Sequence, residues 1–354
     1  MATLLRDVTR YERWLRRQCK VVEPDLVAKH ERMREGAFVF LRATYFRWAR
    51  TIDRICPGFS RAPRVLCVGD THVENFGTWR DGEGRHVWGI NDFDEAAVMP
   101  YPYDLIRLVA SAWLSDKLGL EPQRAATAVL RGYVDGLSAP GPVLLDQGAA
   151  WFRTLNGHLT VEAEEFWDEV DKYDDGVPPP KVRRALRRSL PEGAVIQRFA
   201  TRRKGGGGLG RPRFLALAHW EGGRVVREAK AIVPSAWAWA NSNSSARQRI
   251  LDVAYGLYRA PDTSLSATDG FLLRRIAPDS RKLDLKDVAK RALGTTLLQA
   301  MGRDIGSIHA SHRRSSAIVA DLAQRDAGWL HVAAGQAKKA VEADYRTWLA
   351  ESSS

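Results

Sequence analysis

Cysteine is scarce in this chain, and long apolar segments are missing. The three cysteines, Cys19, Cys56 and Cys67, have no paired spacing, which argues against a disulfide framework and favours a reducing compartment. No stretch reaches the roughly 18 apolar residues of a membrane-spanning helix. The first residues also lack the apolar core of a secretory leader. We therefore expect a cytoplasmic protein without a membrane partner.

Acidic residues are outnumbered by basic ones. Lys and Arg total 54 against 42 Asp and Glu, which gives a net charge of +12 and a pI near 9.8. This excess favours polyanionic partners such as nucleotides, nucleic acid or an acidic membrane surface, although a solvated arginine-rich surface would produce the same balance. The basic residues are dispersed and no nucleic-acid recognition motif occurs, so nucleic acid is not the expected partner. The length of 354 residues suits two or three domains.

The hydrophobic pattern changes twice along the chain. Helical periodicity marks residues 1–60, the segment after Pro100, residues 120–170 and the C-terminal part. The acidic and proline-rich residues 171–180 are typical of a linker or mobile loop. Further on, the pattern predicts a helix over Arg247–Tyr258 and strands over Val195–Phe199, Arg213–Ala218, Arg224–Ile232 and Phe271–Ile276, the second and third of which form a hairpin. The sequence therefore predicts an α+β fold with a β-rich segment between helical ones.

Two polar clusters follow short hydrophobic runs in the first part of the chain. Asp70 and Asn75 come after Val65–Val68, and Asp92 comes after Val87–Ile90. The Gly and Asp residues between Trp79 and Arg85 predict a hairpin turn. If the strand ends meet side by side, three oxygen donors surround one hard cation. The spacing therefore predicts a magnesium-nucleotide site.

A glycine-rich loop, Gly205–Gly210, lies between two predicted strands. Its glycines would let backbone N–H groups approach phosphates closely. Neither Gly-Lys-Ser/Thr nor a helix follows, so the loop is not a P-loop. A flexible hairpin tip is the alternative interpretation.

Lys230 lies late in the third predicted strand. An ammonium in a half-buried strand needs a partner, for which phosphate oxygens and the Asp252 carboxylate are candidates. Alternatively, the lysine lies on the solvent face of an edge strand.

Asp104 and His309 can each be explained by a structural role. Asp104, near the start of the helix after Pro100, suits a helix cap. His309 and His312 have the i, i+3 spacing of two zinc ligands, but no third His or Cys stands nearby, so His309 is predicted to be a structural histidine.

These motifs together resemble the phosphotransferases related to aminoglycoside and choline kinases, in the protein-kinase-like superfamily. Their catalytic loop, His-Gly-Asp-x-x-x-x-Asn, is matched by Gly69–Asn75, with Val68 in place of the leading His. Asp92-Phe93 resembles the metal-binding Asp-Phe-Gly, with Asp94 in place of glycine. Tyr103-Asp104-Leu105 resembles the Tyr-Asp-Leu that these enzymes place under the catalytic loop.

The order of the motifs differs from that of an ordinary kinase, in which the glycine-rich loop and the strand lysine precede the catalytic loop. Here they follow it by about 130 residues. The resemblance therefore implies a circularly permuted protein-kinase-like fold, in which a β-rich small lobe is inserted between two helical segments of the large lobe. The implied domains are residues 1–190, with the catalytic and metal loops; residues 191–280, the nucleotide-binding small lobe; and residues 281–354, helices that complete the large lobe. Phe271–Ile276 becomes the hinge, and Ile305–His309 resembles the helix that normally leads into the catalytic loop.

The chain also resembles a bacterial family of unknown function placed in this superfamily. The matching residues are Arg32-Met33, Phe38–Arg42, Gly69–Gly77, Asn91–Glu95, Lys230 with Pro234-Ser235, Ile308–Ala310 and Asp344-Tyr345. Asp252 stands where that family tends to have Glu.

The resemblance implies an ATP-dependent phosphotransferase that uses Mg²⁺ and moves the γ-phosphate to a hydroxyl of an acceptor, expected to be a small molecule, that the motifs do not specify. Catalytic roles fall to Asp70 and His72, and metal binding to Asn75, Asp92 and Asp94. The implied nucleotide-binding residues are Gly205, Gly206, Gly207, Gly208, Gly210, Lys230, Asp252 and Arg274.

Three alternatives remain at this point. A nucleotide-binding pseudokinase, or a nucleotidyl transferase acting on a protein, would use the same residues. A two-metal phosphoesterase would need an Asn-His pair and a His-x-His, and the chain has neither. A nucleic-acid-binding module is disfavoured by the dispersed basic residues. The oligomeric state is open.

Overall fold

The computed structural model of the chain is a mixed α+β structure, as predicted, with several antiparallel sheets. It describes residues 3–115, 117–147, 163–242, 247–280, 285, 288 and 293–351. Helical, β-rich and helical segments follow one another in the predicted order.

The N-terminal segment is helical because apolar residues recur every three or four positions and give each longer helix one buried face. Thr3 caps the first helix by accepting a hydrogen bond from the Arg6 N–H at 3.4 Å. The helices are α1 (Leu4–Gln18), α2 (Glu23–Arg32), α3 (Ala37–Ala43) and α4 (Tyr45–Ile55), followed by a 3₁₀ turn at Pro57–Phe59.

Two small sheets carry the first polar clusters. Strand β1 (Arg64–Cys67) pairs with β4 (Ala97–Pro100), and β2 (Phe76–Arg80) pairs with β3 (His86–Ile90) as the predicted hairpin. The hairpin pairs Phe76 with Ile90, so the residues just outside it, Asn75 and Asn91, lie side by side.

The prediction of continuous helix over residues 120–170 was wrong. Helix α5 (Pro102–Leu114) is followed by α6 (Pro122–Ser138), and the chain then forms β5 (Val143–Leu144), an edge strand on β3. Pro140 and Pro142 explain the break, because proline lacks the N–H group that a helix needs. Residues 148–162 of the predicted helix lie outside the described part.

The β-rich segment forms an antiparallel sheet in the order β6-β7-β8-β10-β9. Its hairpin turn at Glu221 and Gly222 has φ values of 46° and 79°, as a type I′ turn requires. The strands are β6 (Val195–Thr201), β7 (Arg213–Trp220), β8 (Gly223–Ala231), β9 (Ser266–Thr268) and β10 (Phe271–Ile276).

Helices on both sides of this sheet complete its packing. Helix α7 (Ala163–Asp171) contributes Val170 to one apolar cluster, and α8 (Pro180–Ser189) contributes Leu186 to another. The lobe boundary predicted at residue 191 therefore separates the sheet from two helices that pack on it. After β8, α9 (Ala236–Ala240) and α10 (Ile250–Ala254) pack into the main core. Helix α10 is much shorter than the helix predicted over Arg247–Tyr258.

The main core lies between the first and last segments of the chain. Helix α11 (Gly294–Ala310) packs against α6 with very close backbone contact, and α12 (Ser315–Ala323) and α13 (Trp329–Glu351) follow. One face of α11 is an apolar stripe that is buried, with Leu297, Met301 and Ile305 less than 2% exposed. Among the residues described, no helix combines the length and the apolar character needed to cross a membrane.

Candidate active site

The β2–β3 hairpin brings the two early polar clusters together. The Asn75 side-chain nitrogen donates to the backbone carbonyl oxygens of Asp70 at 3.0 Å and of Asp92 at 3.1 Å. Since this nitrogen faces two carbonyls, the Asn75 amide oxygen is the atom available to a cation. Asp70, Asn75 and Asp92 thus border one site, as the spacing predicts.

Asp104 fixes the loop that precedes Asp70. Its fully buried carboxylate accepts hydrogen bonds from the Val68 and Gly69 N–H groups at 2.8 and 2.9 Å and lies 3.2 Å from His309 Nε2. Asp104 is therefore not a helix cap, as the simpler interpretation had it, but lies beneath the loop as the resemblance implies. Gly69 is required here, because its φ is +90° and a Cβ atom would lie 2.4 Å from the Glu95 carbonyl oxygen.

His309 is a structural histidine, as predicted. It is fully buried, and its Nδ1 lies 2.9 Å from the Tyr133 hydroxyl while Nε2 faces Asp104. Cys67 also lies close enough to these two residues to form a group of metal-ligand type. Its thiol, however, faces the Met99 carbonyl oxygen at 3.5 Å, so the protein's own hydrogen bonds satisfy all three side chains.

Arg107 holds the Asp70 carboxylate. Its Nε donates to Asp70 Oδ1 at 2.8 Å, and its terminal nitrogen also donates to the Leu41 carbonyl oxygen at 2.9 Å. The guanidinium is fully buried beside the rings of Tyr45 and Trp48. Burial raises the pKa of the Asp70 carboxyl, and the positive charge of Arg107 opposes that rise. Arg107 thus orients Asp70 through Oδ1, and the second oxygen, Oδ2, faces the glycine-rich loop.

Lys230 contacts the early acidic loop directly. Its Nζ lies 3.3 Å from Asp92 Oδ1 and forms an ion pair with Asp94. Strand β8 is paired on both sides and Lys230 is 2% exposed, so the alternative of a solvent-facing lysine on an edge strand was wrong. The predicted pairing with Asp252 was also wrong. Asp252 instead accepts hydrogen bonds from Arg247 and Arg249, both at 2.8 Å.

Glu228 lies two residues before Lys230 and on the same face of β8, because side chains alternate along a strand. Its buried carboxylate lies 2.8 Å from Arg202, 2.5 Å from Arg274 and 3.8 Å from Arg213. The neighbouring guanidiniums hold the pKa of Glu228 well below its usual range, although burial opposes them. Arg274, one of the predicted nucleotide-binding residues, therefore lies on the cavity side of the sheet.

The glycine-rich loop lies against Asp70 and Lys230. A Cβ atom at Gly207 would be 2.8 Å from the Arg42 carbonyl oxygen and 3.6 Å from Asp70 Oδ2. One at Gly208 would be 2.8 Å from an Arg213 nitrogen and 3.7 Å from Lys230 Cε. Gly205 and Gly210 have φ values of +98° and +90°, which favour glycine, whereas Gly206 has no close neighbour. Glycine is thus required at Gly207, where the loop approaches Asp70, because the atom in the way belongs to the Arg42 backbone.

Two neighbouring cavities open around these groups. The smaller, of about 70 Å³, lies between the glycine-rich loop, Asp70 and Asp94. The larger, of about 580 Å³, lies under the sheet, between the end of β3, the end of β10 and residues 254–265. Asp92, Gly205 and Arg213 line both, so the cavities meet at the acidic loop.

His72 lines the smaller cavity beside Asp70. Its Nδ1 accepts a hydrogen bond from the Glu74 N–H at 3.2 Å, and its ring packs edge-on against Phe38. This side chain is thus fixed by its neighbours at the wall of the cavity that Asp70 also lines.

The donor set at the junction of the cavities suits a hard divalent cation. Asn75, Asp92 and Asp94 offer amide and carboxylate oxygens, which magnesium prefers. The Asp92 side chain is 46% exposed and the Asp94 side chain 15% exposed, so both carboxylates are accessible from the cavities. The residues present therefore fit Mg²⁺.

Sequence reasoning missed four charged residues of this site: Lys29, Arg107, Arg211 and Glu228. Arg107 follows Asp104 by three positions on one helix face, and Glu228 precedes Lys230 by two on one strand face, so both had a detectable spacing. Lys29 and Arg211 had no such signal, because they reach the site from separate segments.

One comparison with known proteins gives a match, and it covers the N-terminal part of this site. No curated protein and no solved structure matches the chain. Residues 21–138 match a family described as "Uncharacterized protein conserved in bacteria (DUF2252)". The matched segment includes Asp70, Asn75, Asp92 and Arg107, and it ends before the strand that carries Lys230. Over that segment, the chain is similar to a bacterial family.

Proposed function

We propose that this protein is an ATP-dependent phosphotransferase with a circularly permuted protein-kinase-like fold. One observation carries the proposal: Lys230 lies 3.3 Å from Asp92, although the two residues are 138 positions apart in the chain. Asp70, Asn75 and the glycine-rich loop border the same cavity. A phosphate-binding lysine, a flexible-backbone loop and acidic metal ligands around one cleft are the parts that phosphoryl transfer needs.

The position of α11 supports the permutation. In the resembling enzymes, the equivalent helix leads directly into the catalytic loop. Here α11 ends at Ala310, and His309 in its last turn lies 3.2 Å from the Asp104 carboxylate that holds the Val68 and Gly69 N–H groups. The helix end therefore lies next to the catalytic loop, although about 240 residues separate them in sequence.

The proposed chemistry assigns each group one task. Asp70, held by Arg107, accepts the proton of the acceptor hydroxyl as its oxygen attacks the γ-phosphorus of ATP. The bond between that phosphorus and the β,γ-bridging oxygen breaks, and ADP leaves. Lys230 binds phosphate oxygens, and the backbone of Gly205–Gly208 covers them. Asn75, Asp92 and Asp94 would hold Mg²⁺, which when bound neutralises phosphate charge. Positioning and charge neutralisation account for most of the catalysis of such reactions.

The larger cavity is the proposed nucleotide site. Its volume of about 580 Å³ falls in the usual range of small-molecule pockets. Apolar side chains from Phe93, Leu265 and Ile276 line it, and Arg213 and Arg274 add positive charge near the acidic loop. The apolar part suits a nucleobase and the charged part suits a polyphosphate.

Asp92→Asn tests the proposal, because it removes one carboxylate while preserving its shape. We expect Mg²⁺ and ATP to raise the melting temperature of the wild-type protein, since saturation at one hundred times Kd adds about 2.7 kcal/mol. The variant should lose most of this shift and at least about 90% of ATP turnover, because both need the metal carboxylate. Thermal shift and phosphate release from ATP measure the two effects.

Asp269→Asn is the matched control. Asp269 is exposed in the β9–β10 turn, away from the cavities, so this variant should behave as the wild type does. A wild-type protein that gains no stability from ATP with or without Mg²⁺, or an Asp92→Asn variant that keeps full ATP turnover, would contradict the proposal.

A further inference from the structure

Lys29 is a buried cation at the smaller cavity. It lies on α2 and is 4% exposed. Its Nζ lies 3.5 Å from the Gly207 carbonyl oxygen and about 6 Å from the centres of the Tyr11 and Phe46 rings. Among the residues that the structure describes, no carboxylate forms an ion pair with it within 4.0 Å, and the Glu12 carboxylate raises the pKa of Lys29 from a greater distance without offsetting its burial. A buried ammonium with one long hydrogen bond is poorly compensated for its lost hydration.

The neighbouring cations of this cavity are compensated. Arg211 lies 3.1 Å from Asp94 and 3.0 Å from Glu95, and Arg42 forms an ion pair with Glu74. Lys230 is paired with the acidic loop. Lys29 therefore differs from them in lacking a carboxylate within ion-pair distance among the described residues.

Helix α2 fixes Lys29 beside the position of phosphoryl transfer. The Val22 N–H donates to the Gly210 carbonyl oxygen at 2.9 Å, and Arg32 donates to that of Gly205 at 2.8 Å. Lys29 thus contacts the middle of a loop that its own helix holds at both ends. The loop position it contacts, Gly207, is also the one nearest Asp70 Oδ2.

We propose that Lys29 binds an oxygen of the terminal phosphoryl group of the nucleotide at the transfer position. The proposal rests on the proposed function, and it assigns to the N-terminal helices a direct part in the site. An anionic oxygen would supply the partner that Lys29 lacks, in a charge-assisted hydrogen bond. Burial lowers the pKa of Lys29 to about 8, so a bound anion would also stabilise its charged form.

Lys29→Met tests this role, because methionine keeps an unbranched apolar chain beside the two rings and removes the charge. The affinities of wild type and variant for ATP and for ADP are measured by calorimetry with Mg²⁺. We expect the ratio of ATP to ADP affinity to fall about tenfold or more, while ADP affinity changes little, because ADP lacks the terminal group. Lys29→Arg keeps the charge, so it should keep part of the preference for ATP over ADP.

Arg32→Met is the matched control, since it removes a contact to the glycine-rich loop without removing a charge from the cavity. An equal loss of the ratio in Arg32→Met would contradict the proposal and assign Lys29 to loop positioning. A ratio unchanged in Lys29→Met would also overturn it. A third outcome would also overturn it. If inorganic phosphate stabilises the ADP-bound wild-type protein but not the ADP-bound Lys29→Met variant, and the variant keeps its ratio of ATP to ADP affinity, then Lys29 binds a phosphate of the acceptor.

The melting temperature of the unliganded variants separates folding from binding. Lys29→Met should be at least as stable as the wild type, because it removes a poorly compensated buried charge. If neither nucleotide binds the wild-type protein, the proposed function fails. If both bind and Lys29→Met keeps the preference for ATP, the role of Lys29 alone fails.

Discussion

At the scale of single residues, Arg107 opposes the effect of burial on the protonation of Asp70. Burial raises the pKa of the Asp70 carboxyl, and the nearby guanidinium is the largest opposing influence. A general base works in its deprotonated form, so the arginine extends to lower pH the range in which Asp70 can accept a proton. The same guanidinium fixes the carboxylate by donating to Oδ1 through two nitrogens.

Arg107→Met should therefore shift the pH dependence of ATP turnover. Without the guanidinium, the pKa of Asp70 rises further, so the acidic limb of the rate profile moves to higher pH. At pH 6 we expect turnover to fall about tenfold or more. Arg107→Lys should shift the limb less, because the charge remains but one donor is lost.

Turnover measured from pH 5 to 9, together with the melting temperature at each pH, tests this prediction. The Leu41 carbonyl loses a buried donor in the Met variant, so a stability loss of about 1–3 kcal/mol is expected in addition. A profile that only falls in height, with its acidic limb unmoved in a folded variant, would show that Arg107 does not tune Asp70.

Glycines set the contact between two core helices at the scale of elements. A Cβ atom at Gly132 on α6 would lie 1.8 Å from the Gln299 carbonyl oxygen on α11, and one at Gly302 on α11 would lie 2.1 Å from that of Val129. These helices pack backbone against backbone. The contact matters for the site because α11 also carries His309 and Asp304, and Asp304 accepts a hydrogen bond from the Ile90 N–H at 2.7 Å.

Gly132→Ala should destabilise the protein by about 3 kcal/mol or more, because the methyl group forces the two helices apart. Gly141→Ala is the control, since a Cβ atom there has no neighbour within 4 Å. Urea unfolding of both variants measures the difference. A Gly132→Ala protein as stable as Gly141→Ala would show that the helices separate without cost.

Elements with local signals were predictable from the sequence. The β7–β8 hairpin has its Glu-Gly-Gly turn, and the β2–β3 hairpin has a Gly- and Asp-containing turn, so both were found. The prediction of one helix over residues 120–170 was wrong because Pro140 and Pro142 interrupt the helix despite the helical periodicity. Helix α10 ends at Ala254, before Gly256, which offers a helix little support.

The residues of the site show the same difference between local signals, which the sequence contains, and long-range packing, which it does not. Asp70, Asn75 and Asp92 lie together because a local hairpin joins their loops, and spacing alone predicted that. The partner of Lys230 was mistaken because it depends on how distant segments pack. Asp252 had two nearer cations, Arg247 and Arg249, within five positions. The contribution of α2 to the cavity was equally invisible, since nothing within α2 indicates which loop it will contact.

At the scale of the whole molecule, the first and last helices of the chain lie together. Arg47 contacts Asp7 of α1 at 2.6 Å and Asp344 of α13 at 2.8 Å, so one guanidinium joins the first and last helices. Tyr345 donates to the Arg34 carbonyl oxygen at 2.8 Å, which holds α13 against the segment after α2. Close termini are the condition under which a chain can be rejoined and reopened elsewhere.

A rearranged chain that begins at Ala163, joins Ser354 to Met1 through about 15 Gly and Ser residues, and ends at Glu162 should therefore fold. Such a linker spans about 20 Å. The new order places the glycine-rich loop, Lys230 and α11 before the proposed catalytic loop, as in an ordinary kinase, and leaves the described helices and strands uncut. We expect a melting temperature within about 10 °C of the wild-type value, because the contacts are retained, and the same stabilisation by Mg²⁺ and ATP. A chain opened between Gly306 and Ser307, inside buried α11, should not fold and serves as the control. If the first rearrangement is as unfolded as this control, the two halves of the large lobe depend on the present chain order, and the permutation account fails.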